Sequence, residues 1–196
     1  MVARLPKAMR YALALGVGAA LGIATTVAAL QYQRAAPQEG QLDIVRSGWA
    51  EIKWPFAADL WSVDKAFKCS HPDCGGETTL YLRAKVGFCN CTTGVSDDEE
   101  LERIGDIHLL GGKHSADGPG RPIGVAWMKG RSRWYNITGT RPGGKPVLTI
   151  AFNDRCDAIV GTVVIGHDRP AAAEQAVIDF LNGDVVLKWV QVTVGL

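Results

Sequence analysis

The chain has 196 residues, a formal net charge of +1, 47% hydrophobic residues and 21% charged residues. These proportions are typical of an ordinary globular domain. They exclude a disordered polymer, a collagen-like repeat, a strongly basic nucleic-acid-binding protein and a membrane protein with many spans, because each of those needs a much stronger compositional bias. Composition therefore limits the class of protein without indicating an activity.

The first predicted element is an apolar segment near the N-terminus. Residues 11–30 contain no charged residue, and twenty such residues are enough to cross a bilayer as a helix. Basic residues are concentrated in residues 1–10, whereas Arg34 alone follows the segment closely, so the N-terminus is predicted to stay in the cytoplasm. We expect a single-pass signal-anchor in a bacterial inner membrane, with residues 31–46 as a linker and residues 47–196 as a periplasmic domain.

An uncleaved anchor is not the only interpretation of this segment. Small residues at 27–29 match the site at which a signal peptidase cuts, and cleavage would release a secreted or periplasmic protein. The first acidic residue is Glu39, and an acid-poor, Arg-containing start is also compatible with an organellar import signal. If the segment is an anchor, the G-x-x-x-G spacing of Gly18 and Gly22 offers a contact for a homodimer.

The part of the chain after the anchor is nearly neutral. Residues 41–196 hold 17 Lys or Arg and 19 Asp or Glu, a net charge of −2. Nucleic-acid binding depends on a surplus of cations that neutralise phosphates, so a nucleic-acid partner is not expected. This length suits one domain with a single hydrophobic core.

Alternating apolar residues predict the first strands of the domain. In the segment 80–88 every second residue is apolar, which is typical of a half-buried strand. Residues 122–137 resemble a hairpin, with a turn predicted around Lys129 and Gly130.

Three later segments are also predicted as strands. Residues 147–152 and 159–165 are rich in β-branched residues and too apolar to be exposed on both sides, so they are expected in the centre of a sheet. Residues 185–194 alternate as well and are predicted to form the last strand.

Two helices are predicted between these strands. Ser96 and Glu99 match a capping box at the start of a short helix that ends near Ile104. A second helix is predicted over 170–182, followed by Gly183 as a stop signal. Its apolar face is formed by Ala173, Val177, Phe180 and Leu181. The expected fold is therefore α+β: a mostly antiparallel sheet with one or two packed helices, preceded by one N-terminal transmembrane helix.

The five cysteines carry most of the chemical information in the sequence. They are Cys69, Cys74, Cys89, Cys91 and Cys156. All five lie on the translocated side of the predicted anchor, where disulfides form and persist, and an odd number leaves at least one unpaired. The favoured arrangement joins the loop between Cys69 and Cys74 to Cys89 and Cys91 by one or two bridges, with Cys156 as an alternative partner; spacing alone does not fix the connectivity.

A metal site is the main alternative for the cysteines. Thiolates and imidazoles suit Zn²⁺ and Cu⁺, and the candidate ligands are Cys69, His71, Cys74, Cys89 and Cys91. The spacing of the two cysteine pairs is poor for zinc, which usually has about two to four residues between paired ligands. Structural disulfides without a cofactor are therefore favoured. The chain has no Cys-x-x-Cys motif to favour thioredoxin-type exchange.

One basic and aromatic segment is a candidate partner-binding surface. Its residues are Lys129, Arg131, Arg133, Trp134 and Tyr135. Cationic side chains beside amphipathic rings suit a lipid headgroup, a glycan or an acidic partner protein. The alternative is a solvated turn with core aromatics behind it.

Catalytic interpretations rest on weaker patterns. Ser62 and Lys65 have the S-x-x-K spacing, in which a lysine one helical turn away activates a serine, but no K-T-G motif follows. A Cys- or Ser-dependent hydrolase needs an accessible nucleophile beside a base, and His108, His114 and His167 lie in separate segments.

The sequence thus favours binding over catalysis. The predicted function is that of a membrane-anchored, extracytoplasmic accessory module that assists an envelope protein complex and contacts a membrane or envelope protein partner. A thiol- or metal-handling factor for Cu or Zn and a Cys- or Ser-dependent hydrolase are the alternatives.

Overall fold

The structure is a computed structural model of the chain, and it describes residues 48–57, 63–74, 76–87, 90–139, 145–166 and 172–195. The chain divides into two units, residues 1–39 and residues 40–196, and all of the described residues belong to the second. Within the described residues no helix is long and apolar enough to span a membrane. The predicted anchor over 11–30, with Gly18 and Gly22, and the predicted linker over 31–46 lie outside them.

Eight strands and three α-helices lie within the described residues. The strands are β1 (Trp49–Ile52), β2 (Asp64–Cys69), β3 (Thr78–Lys85), β4 (Lys113–Ala116), β5 (Arg121–Val125), β6 (Met128–Thr138), β7 (Lys145–Asp154) and β8 (Asp157–Ile165). The helices are α1 (Asp98–Ile104), α2 (Ala173–Leu181) and α3 (Asp184–Val194), with short 3-10 turns at Pro72–Cys74 and Ile107–Leu110. The prediction of an α+β fold is confirmed, with one helix more than expected.

The strands form a single antiparallel sheet in the order β1-β2-β3-β8-β7-β6-β4. β5 also pairs with β6, along the half of that strand that β4 leaves uncovered. β7 and β8 lie in the middle of the sheet, where the apolar segments 147–152 and 159–165 were expected. Their burial on both faces explains why they are apolar throughout.

Helices pack on both faces of the sheet. On the first face, α2 and α3 cover the main core, which includes Phe67, Leu80, Leu148 and Ile150. On the second face, α1 packs Leu101 and Ile104 against Ala151, Ala158 and Val160. The 3-10 turn Ile107–Leu110 covers a third cluster that includes Tyr135 and Val147.

The strand predicted over 80–88 is β3, and its alternation is confirmed. Thr78, Leu80, Leu82 and Ala84 are buried in the main core side of the sheet, while the residues between them are only half-buried. The strand ends at Lys85, and Val86 in the following turn is 60% exposed.

The predicted hairpin is confirmed, but its turn is displaced. Val125 pairs with Met128, so Ala126 and Trp127 form the turn, not Lys129 and Gly130. Ala126 adopts a φ of 50°, a left-handed backbone conformation that is uncommon for alanine. Its N–H donates to the Asn182 side chain at the end of α2. A tertiary contact therefore fixes this turn.

Gly130 serves packing and not a turn. It lies in β6 opposite β7, and a Cβ there would be 2.7 Å from the Cα of Phe152. Glycine is needed at this position because β6 and β7 approach each other closely, and not because the chain turns there.

The last predicted strand is wrong, because residues 185–194 form most of helix α3. Val186 and Val190, four residues apart, are both fully buried, while Asp184, Lys188 and Gln191 form an exposed polar stripe. Valine costs at most about 0.7 kcal/mol in a helix, whereas burying one gains about 1.5 kcal/mol or more. Burial of one apolar face on the sheet therefore outweighs the β-propensity of this segment.

The two predicted helices are present with altered starts. The N-cap of α1 is Asp97, whose carboxylate accepts a 2.8 Å hydrogen bond from the Glu100 N–H, so the cap lies one residue after Ser96. α2 begins at Ala173, and its predicted apolar face is buried. The proposed start of this helix, residues 168–171, lies outside the described residues.

Candidate functional site

A cleft opens where the chain passes from β4 to β5. β4 pairs with the C-terminal half of β6 and β5 with its N-terminal half. The connection, residues 117–120, is joined to the middle of β6 by one backbone hydrogen bond of 2.8 Å, from Asp117 N to Trp134 O. The cleft has a volume of about 240 Å³ and reaches the start of α2. We call it the Glu174 cleft.

The Glu174 carboxylate forms the inner end of this cleft. Ser132 and Trp134, two residues apart in β6, project from the same face toward α2. The Ser132 hydroxyl donates to Oε1, and the Trp134 indole N–H donates to Oε2 at 3.1 Å. The Glu174 side chain is only 15% exposed. Two neutral donors therefore hold a mostly buried carboxylate in one orientation.

The outer part of the cleft carries charges of both signs. Asp117 and Arg121 both line it and both are exposed. An Arg121 guanidinium nitrogen lies 4.0 Å from Glu174 Oε2, but the arginine side chain is 72% exposed. An ion pair at this distance, with its cation largely in solvent, contributes little binding energy. The cleft can therefore attract a small charged group to Glu174.

The connection is held from the opposite face of the sheet. The Asp98 carboxylate accepts a 3.0 Å hydrogen bond from Gly120 N and forms an ion pair with Arg131. Arg133 donates to Gly118 O at 3.0 Å and lies 3.6 Å from Asp98. The Gly120 hydrogen bond, against the opposing effect of burial and with help from Arg131, holds the pKa of Asp98 below its usual value. Charge-assisted bonds thus define one wall of the cleft.

The five residues of the predicted partner-binding surface all lie within β6. They are Lys129, Arg131, Arg133, Trp134 and Tyr135. Lys129 is exposed, but Trp134 and Tyr135 are 5% and 2% exposed and point to opposite faces of the sheet. Burial raises the pKa of the Tyr135 hydroxyl. Both arginines are engaged with Asp98, and the turn of the hairpin lies at Ala126 and Trp127, before this segment.

The cysteines pair differently from the favoured arrangement. Cys69 is bonded to Cys74, within the loop, and Cys91 is bonded to Cys156 in the β7–β8 turn. Cys89 lies outside the described residues. The bridge expected between the two cysteine pairs is therefore not formed by Cys69 or Cys74.

These bonds bear on the proposed metal ligands. Cys69, Cys74 and Cys91 offer no thiolate while they are in disulfides, and His71 is exposed. Among the described residues, no three His, Cys, Asp or Glu side chains are grouped to hold a metal ion. Metal handling through this set requires both bonds to be reduced first.

Two catalytic patterns can also be placed. Lys65 lies in strand β2 and not in a helix, and Ser62 is outside the described part of the chain. His108 lies in the 3-10 turn Ile107–Leu110, and His114 lies in β4 with its ring 5.9 Å from that of Tyr135. His167 is also outside the described residues.

A second charged cluster lies on the α1 face of the sheet and is largely closed. Arg83 donates to Asp64 at 2.9 Å and lies 3.8 Å from Asp106, which accepts a 2.7 Å bond from Lys85. These four side chains are 4–17% exposed. Two cations and two carboxylates balance, and Lys85 also donates to Ile104 O at 2.7 Å. The cluster fastens the end of α1 to β3.

Sequence reasoning missed the residues that define the Glu174 cleft. Glu174 has the ordinary signature of an acidic residue in the first turn of a helix, and Ser132 that of a polar strand residue. Packing of α2 against β6 brings them together across 42 positions in sequence. No known protein family matches the chain, and a search of curated proteins found no match either.

Proposed function

We propose that the chain is a membrane-anchored, extracytoplasmic binding module that assists the assembly or function of an envelope protein complex. The observation that carries this proposal is the pair of disulfides in the domain, Cys69–Cys74 and Cys91–Cys156. Disulfides persist outside the cytoplasm and are rare within it. The apolar segment at 11–30, with its basic N-terminal flank, supports the same location and supplies the anchor.

The Glu174 cleft supports binding as the activity of the domain. Ligand pockets for cofactors and drug-sized molecules occupy about 300–1,000 Å³, whereas this cleft has about 240 Å³. It therefore suits a single side chain of a protein partner better than a cofactor. The anchor keeps such a module beside the membrane proteins that it would contact.

Hydrolysis is the second candidate, and the bond between Ser132 and Glu174 is the observation that favours it. A hydroxyl that donates to a carboxylate resembles a nucleophile beside a base. Ser132 is only 1% exposed, however, and a substrate carbonyl must reach the serine oxygen. Binding is therefore the better supported function.

The proposal is tested by location and contact in living cells. A C-terminal alkaline phosphatase fusion should be active, because that enzyme folds only where disulfides form. A photo-crosslinking residue at Pro119, exposed beside the cleft, should give a discrete product with a membrane or envelope protein. The same residue at Val192, 84% exposed on α3, is the matched control. An inactive fusion, or identical products from both positions, would contradict the proposal.

A further inference from the structure

We infer that the Glu174 cleft binds one cationic side chain, an arginine or a lysine, presented by the protein partner, with Glu174 as its counter-ion. This inference rests on the proposed binding function and adds the chemistry of recognition to it. It is carried by the size of the cleft, by the way in which Glu174 is held, and by the arginine that already lies beside it.

The first step concerns the charge at the inner end of the cleft. The two hydrogen bonds to Glu174 come from a hydroxyl and an indole, both neutral donors. They orient the carboxylate without cancelling its charge. A mostly buried carboxylate in a narrow cleft interacts more strongly with a cation than a carboxylate in bulk water does. The cleft therefore favours an ammonium or guanidinium group over an anion or an uncharged group.

The second step concerns the cations already present. Arg133 lines the cleft but is directed to Gly118 O and to the carboxylates of Asp98 and Glu102, at 3.6 and 3.7 Å. Its charge is thus balanced on the other face of the sheet. Arg121 alone is ion-paired with Glu174 among the cations of the described residues, at the 4.0 Å limit of such a pair.

The third step assigns a role to Arg121. Its guanidinium is the same group that a partner would supply, and 72% exposure of its side chain leaves it able to move into solvent. An ion pair whose cation is largely in solvent, at 4.0 Å from the carboxylate, is weak. We therefore assign Arg121 as a weak internal occupant that a partner cation displaces. Removal of its charge should tighten binding of a cationic group.

The test uses the full, oxidised chain in detergent micelles. The probes are N-acetyl-arginine amide and N-acetyl-lysine amide, with N-acetyl-citrulline amide as the uncharged isostere of arginine. The readout is the indole N–H signal of Trp134 in a nitrogen–proton correlation spectrum, since that group donates directly to Glu174. The signal is assigned among the six tryptophans through Trp134→Phe.

A cationic probe should shift this signal saturably, with a dissociation constant on the order of millimolar, as suits one side chain. Glu174→Gln should weaken binding about tenfold or more, a loss of one charge-assisted contact. Asp179→Asn removes the same charge from an exposed site on the same helix and should leave binding unchanged. Arg121→Gln should strengthen binding about threefold.

Several results would overturn the inference. They are equal shifts with citrulline and arginine, no saturable shift with either cation, and unchanged binding in Glu174→Gln. Weaker binding of the cationic probes in Arg121→Gln would also overturn it, because Arg121 would then not compete with the probe for Glu174. That exposed variant tests the inference even if Glu174→Gln fails to fold. If the probes fail while the Pro119 crosslink and the phosphatase fusion succeed, only the ligand chemistry is wrong; if those two fail, the proposed function is wrong.

Discussion

The Cys91–Cys156 disulfide should contribute more to stability than Cys69–Cys74. The Cys91–Cys156 bond joins residues that are 65 positions apart, whereas the Cys69–Cys74 bond joins residues that are 5 positions apart. A cross-link stabilises mainly by restricting the unfolded chain, and the loss of entropy grows with the logarithm of loop length. At room temperature this relation gives about 4 kcal/mol for the long loop and about 2 kcal/mol for the short one.

The double variant Cys91→Ala/Cys156→Ala isolates the long loop. Cys91 is exposed, so alanine removes little packing there, whereas Cys69 and Cys74 are 0% and 2% exposed and their replacement would add a packing loss. Both cysteines are replaced so that neither leaves an unpaired thiol in the variant.

The free energy of unfolding is measured by urea titration of the full chain, followed by pulse proteolysis. The oxidised variant should be less stable than the oxidised wild type by about 4 kcal/mol, and adding reductant to the variant should cost about 2 kcal/mol more. A loss of less than about 1 kcal/mol for the variant would refute the reasoning, because the unfolded chain would then be restricted by something other than the bond. The reasoning would also be refuted if the loss of unfolding free energy in the variant equalled the further loss on adding reductant.

Three further changes test separate parts of the fold by the same titration. Arg83→Met removes the cation that donates to the buried Asp64 carboxylate and should cost about 3–5 kcal/mol. Arg155→Met, at a side chain 81% exposed, should cost about 0.5 kcal/mol or less; equal losses would contradict a stabilising cluster. Asp98→Asn should destabilise at neutral pH, and because the folded pKa of Asp98 is lowered, the difference from wild type should shrink as the pH falls through that folded pKa; a pH series of melting temperatures that shows a constant difference would exclude this. Gly130→Ala meets the backbone of β7 and should cost about 1–3 kcal/mol, whereas Gly124→Ala has open space and should stay within about 0.5 kcal/mol; similar values for both would refute the packing role.

The sheet was predictable where burial alone dictates the residue pattern. β3 is half-buried, so its alternation is visible in the sequence, and β7 and β8 are buried on both faces, so their apolar runs mark the centre. Prediction failed where a contact with a distant residue determines the local backbone conformation. The turn at Ala126 depends on Asn182, and the glycine that seemed to mark it serves strand packing.

The last helix shows a signal that was present but outweighed. Five valines in α3 favour a strand by propensity, yet the polar residues Asp184, Lys188 and Gln191 recur at intervals of four and three, which is helical spacing. Propensity differences among ordinary residues are small, so the polar period was the better guide.

The candidate site was beyond prediction from sequence for a different reason. The Cys91–Cys156 bond and the Glu174 contacts join segments that are far apart in the chain, and residue spacing does not specify disulfide connectivity. Arg133 and Trp134 were identified as notable, but for a shared surface. The alternation of β6 separates them, and only Trp134 faces Glu174.

The Glu174 cleft depends on structure on the opposite face of the sheet. The connection that forms its wall is held by the bond from Gly120 to Asp98 and by Arg131, which also donates to Gly120 O at 3.1 Å. Asp98 lies in α1, a helix of seven residues that is too short to be stable alone. Packing of Leu101 and Ile104 against the sheet keeps that helix in place. Truncation of either side chain would therefore loosen the cleft wall from behind, and a loss of partner contact in such a variant would not by itself locate the binding surface on α1.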